Sequence, residues 1–156
     1  MFRRLIAVLL LLALAPLPLS AVGNKKAMYV GGTVTAVKEQ TEGRLDTASE
    51  TQMVFTGDKN KGTVTIPWAA ISELEYGQNA GRRVAMAILV SPLALFSKKR
   101  KHYLTVNYRD VDGKEQAAVF ELGKDLVRTT LTIVETRAGK EITYQDEDAR
   151  KAGKGK

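Results

Sequence analysis

Side chains that commonly carry chemistry are sparse in this chain. There is one histidine, His102, and no cysteine, which removes thiolate nucleophiles, disulfides, histidine-rich zinc sites and most acid–base dyads together. A serine nucleophile would need His102 as its base, yet this residue follows Lys98, Lys99, Arg100 and Lys101 directly and has no carboxylate nearby in sequence to orient it. A polar residue at a strand edge describes it better. Asp110, Asp112 and Gly113 echo the start of a calcium loop, but Lys114 follows and the later ligand positions are unfilled. An aspartate–glycine pair between two apolar runs reads instead as a hairpin whose central residues tolerate positive φ. Asp146, Glu147 and Asp148 form an acidic triplet in a polar stretch and read as solvated. Trp68, just after Pro67, reads as core or barrel-end packing rather than a ligand platform, and neither Gly31 with Gly32 nor Gly139 completes a phosphate loop. The expectation is a protein that is not an enzyme and takes no cofactor or metal.

What the chain does offer is a basic, apolar, basic sequence at residues 81–102, GRRVAMAILVSPLALFSKKRKH. Arg82 and Arg83 lead it, residues 84–97 carry no charge, and Lys98, Lys99, Arg100 and Lys101 close it. Eight of the fourteen uncharged residues are large and apolar, and leaving them wet costs about 12 to 24 kcal/mol at roughly 1.5 to 3 kcal/mol each. A domain stable by about 5 to 15 kcal/mol does not carry that load, so something covers them. As a helix the fourteen residues reach about 21 Å, short of the roughly 30 Å hydrocarbon core, and Ser91–Pro92 divides them. Two readings follow. In the first, Ile88, Leu89, Leu93 and Phe96 dip into a membrane interface while Arg82, Arg83, Lys98, Lys99, Arg100 and Lys101 meet anionic headgroups. In the second, the apolar residues pack on the domain's own flank or in a homodimer, and the cations keep the rim soluble.

Charge distribution bears on the partner. The chain has 24 Lys and Arg against 17 Asp and Glu. Residues 1–23, with Arg3 and Arg4, an apolar run, Pro16, Pro18 and small residues at Ser20, Ala21 and Gly23, follow the order of a secretory signal peptide cleaved before Asn24 or after Ala21. An uncleaved membrane anchor is the competing reading. Without the leader, six basic residues fall in 82–101 and four in 150–156, neither stretch containing an acid, and the remaining body has 12 basic against 17 acidic residues. The positive field thus belongs to one segment and one tail rather than to the fold. That argues against nucleic acid and for an anionic membrane surface or an envelope polyanion, in a periplasmic or extracellular setting, with a homodimer or a protein partner as the other option.

The elements that must position these residues are short strands. Residues 29–37, 43–47, 53–56, 63–66, 71–76, 102–108 and 116–122 are rich in β-branched and aromatic residues and are bounded by turn formers. Residues 124–138 place Val127, Leu131, Val134 and Ala138 on one helical face, with Asp125 in the first turn, Arg137 in the last and Gly139 just beyond. Residues 146–156 lack large apolar side chains and are expected to be a charged, disordered tail.

Seven strands closed by a C-terminal amphipathic helix, with TVTIPWAAISELEYG at residues 63–77 as a strand, short turn and strand, resemble the bacterial pleckstrin-homology-like and GRAM-type domains. The resemblance covers residues 28–138 and implies a mainly β fold, a partly open seven-stranded barrel plugged by the helix, with Ile66, Trp68 and Ile71 inward. It implies a binding or scaffolding role. The phosphoinositide site of the eukaryotic relatives does not carry over, because the loop after the first strand here reads KEQTEGR, with Glu39 and Glu42. The expected organisation is a leader at 1–23, a barrel at 24–145 with a hydrophobic insertion at 78–101 between strands five and six, and the tail.

Overall fold

The computed structural model describes residues 24–78 and 101–155. Eight strands form a single curled sheet, a half-barrel, in the order β4-β3-β2-β1-β7-β6-β5-β8. They are β1 (Asn24–Gly32), β2 (Thr41–Asp46), β3 (Gln52–Gly57), β4 (Thr63–Pro67), β5 (Ile71–Gly77), β6 (His102–Arg109), β7 (Glu115–Leu122) and β8 (Ile142–Tyr144). Neighbours run antiparallel except β5 and β8, which are parallel. β4 is one margin of the ladder and β5 lies next to the other, yet a three-residue 3-10 turn, Trp68–Ala70, links them. The curl therefore brings the two margins close.

Alternation explains the curl's interior. β2 and β4 bury every second residue, as a sheet with one wet face requires. Inside, Tyr29, Phe55 and Phe120 pack at centroid separations of 5.5 to 6.2 Å, surrounded by Leu45, Met53, Ile66, Leu74, Leu104 and Val106. Helix α1 (Val127–Ala138) adds Val127, Leu131 and Val134 to this core. Gly139 ends it in a left-handed cap, as the sequence leads one to expect. Ile66, Trp68 and Ile71 are inward and buried. Trp68 Nε1 donates to the Ser49 carbonyl at 2.9 Å, and Arg137 at the end of α1 donates to the same oxygen at 2.6 Å. One carbonyl thus ties the 3-10 turn, the β2–β3 loop and the helix together.

The structure corrects four expectations. The first strand begins at Asn24 rather than Tyr29, because residues 24–29 pair in register with 41–46 of β2. The β6–β7 hairpin is not a two-residue turn: Asp110 N–H donates to the Lys114 carbonyl at 3.0 Å, and of residues 110–114 only Gly113 has positive φ, +77°. This is the three-residue loop with a glycine bulge. An eighth strand was not expected, being only Ile-Thr-Tyr. Finally, residues 146–156 are not simply a tail, since Glu147–Lys154 form helix α2. Asp146 caps it, its Oδ1 accepting from Ala149 N–H at 2.7 Å, and small residues dock it: Ala149 is in the core, and a Cβ on Gly153 would lie 2.6 Å from the Tyr144 ring.

Candidate functional site

The strand ends that launch the basic, apolar, basic segment define the candidate site. Gly77 pairs with Tyr103 at the close of the β5–β6 ladder, and Lys101 N–H reaches the Gln78 carbonyl at 3.3 Å. Residues 79–100 join these two points. Arg82, Arg83, Ile88, Leu89, Leu93, Phe96, Lys98, Lys99 and Arg100 all lie outside the described residues, and Lys101 alone of the ten predicted contact residues is within them.

Lys101 is already engaged. Its ammonium meets Glu121 on β7 at 2.8 Å, and that hydrogen bond, outweighing partial burial, raises its pKa. A half-buried pair of this kind contributes little to stability, but it fixes where the segment rejoins the sheet. Beside it lies a cleft of about 480 Å³ lined by Lys26, Met28, Glu42, Asp58, Lys101 and Glu121, among others. The three acids outnumber the two lysines and do not favour an anion there.

His102 faces inward. Tyr76 and Leu104 are register partners, and His102, two residues before Leu104, shares their face. Its Nδ1 is 2.6 Å from the Tyr76 hydroxyl, and the rings lie nearly parallel, 8° apart in plane with centroids at 6.2 Å. Burial, then the Lys124 ammonium, holds the imidazole below its usual pKa against the opposing pull of Glu121. Burial, with Tyr144 adding to it, pushes the Tyr76 phenol up to about 12. At neutral pH both partners are uncharged, and the hydrogen bond between the phenol and Nδ1, whose donor is set by the imidazole tautomer, clasps the two strands. Tyr144 of β8 packs edge-on against Tyr76 at 5.9 Å, and Lys154 of α2 sits 5.5 Å above the Tyr144 ring. β8 and α2, the elements that were not foreseen, thus back the clasp.

The other candidates take structural places. Asp110 Oδ1 accepts from the N–H groups of Asp112 and Lys114, and its Oδ2 from Gln116. These bonds hold its carboxyl below the usual range. Among the described residues no group of three or more acidic or histidine side chains is placed to hold a metal ion, and no helix is long and apolar enough to cross a membrane. Sequence reasoning placed His102 at an edge and missed Tyr76 as its hydrogen-bond partner and Glu121 as a charge acting on it, because both lie on neighbouring strands and only register reveals them. Comparison with protein-family models gives no match for this chain, and comparison with curated proteins gives none either.

Proposed function

We propose that this is an exported, non-catalytic binding or scaffolding module of the pleckstrin-homology-like type, attached peripherally to an anionic membrane surface by the cations of the segment between β5 and β6. The strand order β4-β3-β2-β1-β7-β6-β5, with α1 packed into the half-barrel, supports the fold reading; β8 and α2 are additions to it. The observation that carries the functional reading is where charge is spent. Outside residues 82–101 and 150–156 the body carries more acids than bases, and three cations of the described residues are ion-paired, Lys101 with Glu121, Arg109 with Glu115 and Arg150 with Glu147. Arg82, Arg83, Lys98, Lys99 and Arg100 stand at the two ends of one apolar run that leaves and re-enters the sheet at adjacent strand ends. That concentrates positive potential at one end of the domain, the arrangement an anionic surface selects.

Vesicle co-sedimentation of residues 24–156 tests this. Binding to phosphatidylglycerol-containing vesicles and not to phosphatidylcholine alone is expected, weakening as salt shortens the Debye length to about 8 Å at 0.15 M. Each surface cation contributes about 1 kcal/mol, so replacing Lys98, Lys99 and Arg100 by Gln removes about 3 kcal/mol, roughly a hundredfold in affinity. Equal sedimentation of variant and parent overturns the proposal; binding to a soluble polyanion with none to vesicles moves the role to the envelope.

A further inference from the structure

The sheet has a second buried surface, on its outside. Along β6 the inward residues are Leu104, Val106 and Tyr108, and along β7 they are Ala118, Phe120 and Leu122, all in the core. The residues between them point outward and in a half-wet sheet should be solvated. They are not: Tyr103 is 5% exposed, Thr105 2%, Ala117 5% and Val119 0%, and Val30 on β1 is 1% exposed, yet none belongs to the core cluster. Register makes them one patch, since Val119 lies opposite Thr105 on one side and Gly31 on the other. Thr105 Oγ1 is buried with no hydrogen-bond partner. Neither described helix accounts for the cover, because α1 contributes to the core inside the curl and α2 packs on Tyr144 and Leu131.

We infer that this outer face of β1, β7 and β6 is the seat of the apolar residues 84–97. Three observations choose this occupant. The segment is tied at both ends, by Gln78 and Lys101, to the edge of this very patch, where Gly77 pairs with Tyr103. Its length fits: the patch runs along β6 from residue 103 to about 107, roughly 13 Å at 3.3 Å per residue, and fourteen residues reach about 21 Å even as a helix. Charge fits as well. Glu73 and Glu75 on the outer positions of β5, with Glu121 on β7, border the patch on the sides that flank the segment's exit, and cations bracket the apolar run at both of its ends. The face is covered by something neither described helix supplies, and the segment's eight large apolar residues need a surface to cover them.

The inference goes beyond the attachment role and does not need it: the apolar residues become part of the fold, and contact with an anionic surface falls to the cations alone. Because the chain has no cysteine, a single introduced thiol reports cleanly. Thr105→Cys in residues 24–156 is expected to react with a maleimide at least a hundredfold more slowly than Val111→Cys, whose site is 100% exposed. Adding Leu89→Asp and Phe96→Asp brings the rate to the control's, with the near-ultraviolet signal of buried Trp68 retained. If that variant unfolds, oxidation of Thr105→Cys paired with Cys at Ile88, Leu89, Leu93 or Phe96 decides: a disulfide from at least one position is expected, and none from all four overturns the inference. Fast labelling of Thr105→Cys in 24–156 but not in 1–156 assigns the face to the leader; protection that fades on dilution assigns it to a second copy; protection that survives in a folded Asp variant excludes residues 84–97. Each of these overturns the inference, and none depends on vesicle binding.

Discussion

Breaking the Tyr76–His102 clasp has a cost that depends on which partner is removed. Tyr76 is fully buried while His102 is partly exposed. Tyr76→Phe deletes the hydroxyl and leaves Nδ1 to find water, a loss of about 0.5 to 1.5 kcal/mol, the net worth of one neutral hydrogen bond. His102→Leu strands the hydroxyl inside the protein, which costs about 1 to 3 kcal/mol. The double variant strands nothing, so it is expected to be more stable than the sum predicts by about 1 kcal/mol. Urea unfolding of all four proteins at about pH 8 measures this directly. The pH dependence supplies a second arm. Because the folded imidazole titrates below its usual value of 6.5, its contribution is complete above pH 6.5 and is lost as pH falls through the folded pKa. The unfolded chain takes up the proton first, and the His102→Leu protein lacks that part of the slope. Additivity within about 0.3 kcal/mol, together with identical acid profiles, refutes the clasp.

Three further outcomes follow from the packing. Gly153→Ala places a methyl 2.6 Å from Tyr144 Cε1 and 3.0 Å from Leu131 Cδ1, and overpacking of this kind is expected to cost about 1 to 3 kcal/mol, seen as faster amide exchange in α2. Gly62 and Gly113 both have positive φ, +99° and +77°, but a Cβ at Gly62 meets the Ala36 carbonyl at 2.1 Å whereas at Gly113 nothing lies within 4 Å. Gly113→Ala should cost about 1 to 2 kcal/mol from conformation alone and Gly62→Ala distinctly more, by thermal unfolding. Tyr29 and Tyr76, each pushed up to about 12 chiefly by burial, stabilise the fold fully below pH 10 and lose that contribution as pH rises through 12, so phenolate absorbance and loss of circular dichroism should rise together.

How far these features were legible varies by element. The seven expected strands are all present in order, because each combines β-branched residues with flanking turn formers, and α1 is where the spacing of Val127, Leu131 and Val134 put it. β8 was invisible for a physical reason: three residues carry no periodicity, and Ile142 gains its place only by pairing with Leu74, 68 residues earlier. α2 was read as solvated because burial was sought in large side chains. Its docking instead uses small ones, Ala149 and Gly153, which admit Tyr144 and Leu131 close to the helix backbone. The Asp146 cap was legible in type, since aspartate before a run of helix formers is a start signal.

The outer patch was legible too, in a pattern that was read only for strand content. β2 and β4 alternate buried and exposed residues, whereas residues 103–106 (YLTV) and 117–120 (AAVF) are buried without a break. Continuous apolar runs belong to strands covered on both faces, and one face of β6 and β7 is filled by the half-barrel's own core. A second layer is therefore required outside, over these strands and not over β2 to β4, where alternation returns. Residues 84–97 are apolar enough and long enough to form that layer, and they are inserted between β5 and β6, at the edge of the region that needs it. With residues 84–97 inferred to form that layer, one explanation covers both the apolar run in the sequence and the unbroken burial of the strand that follows it.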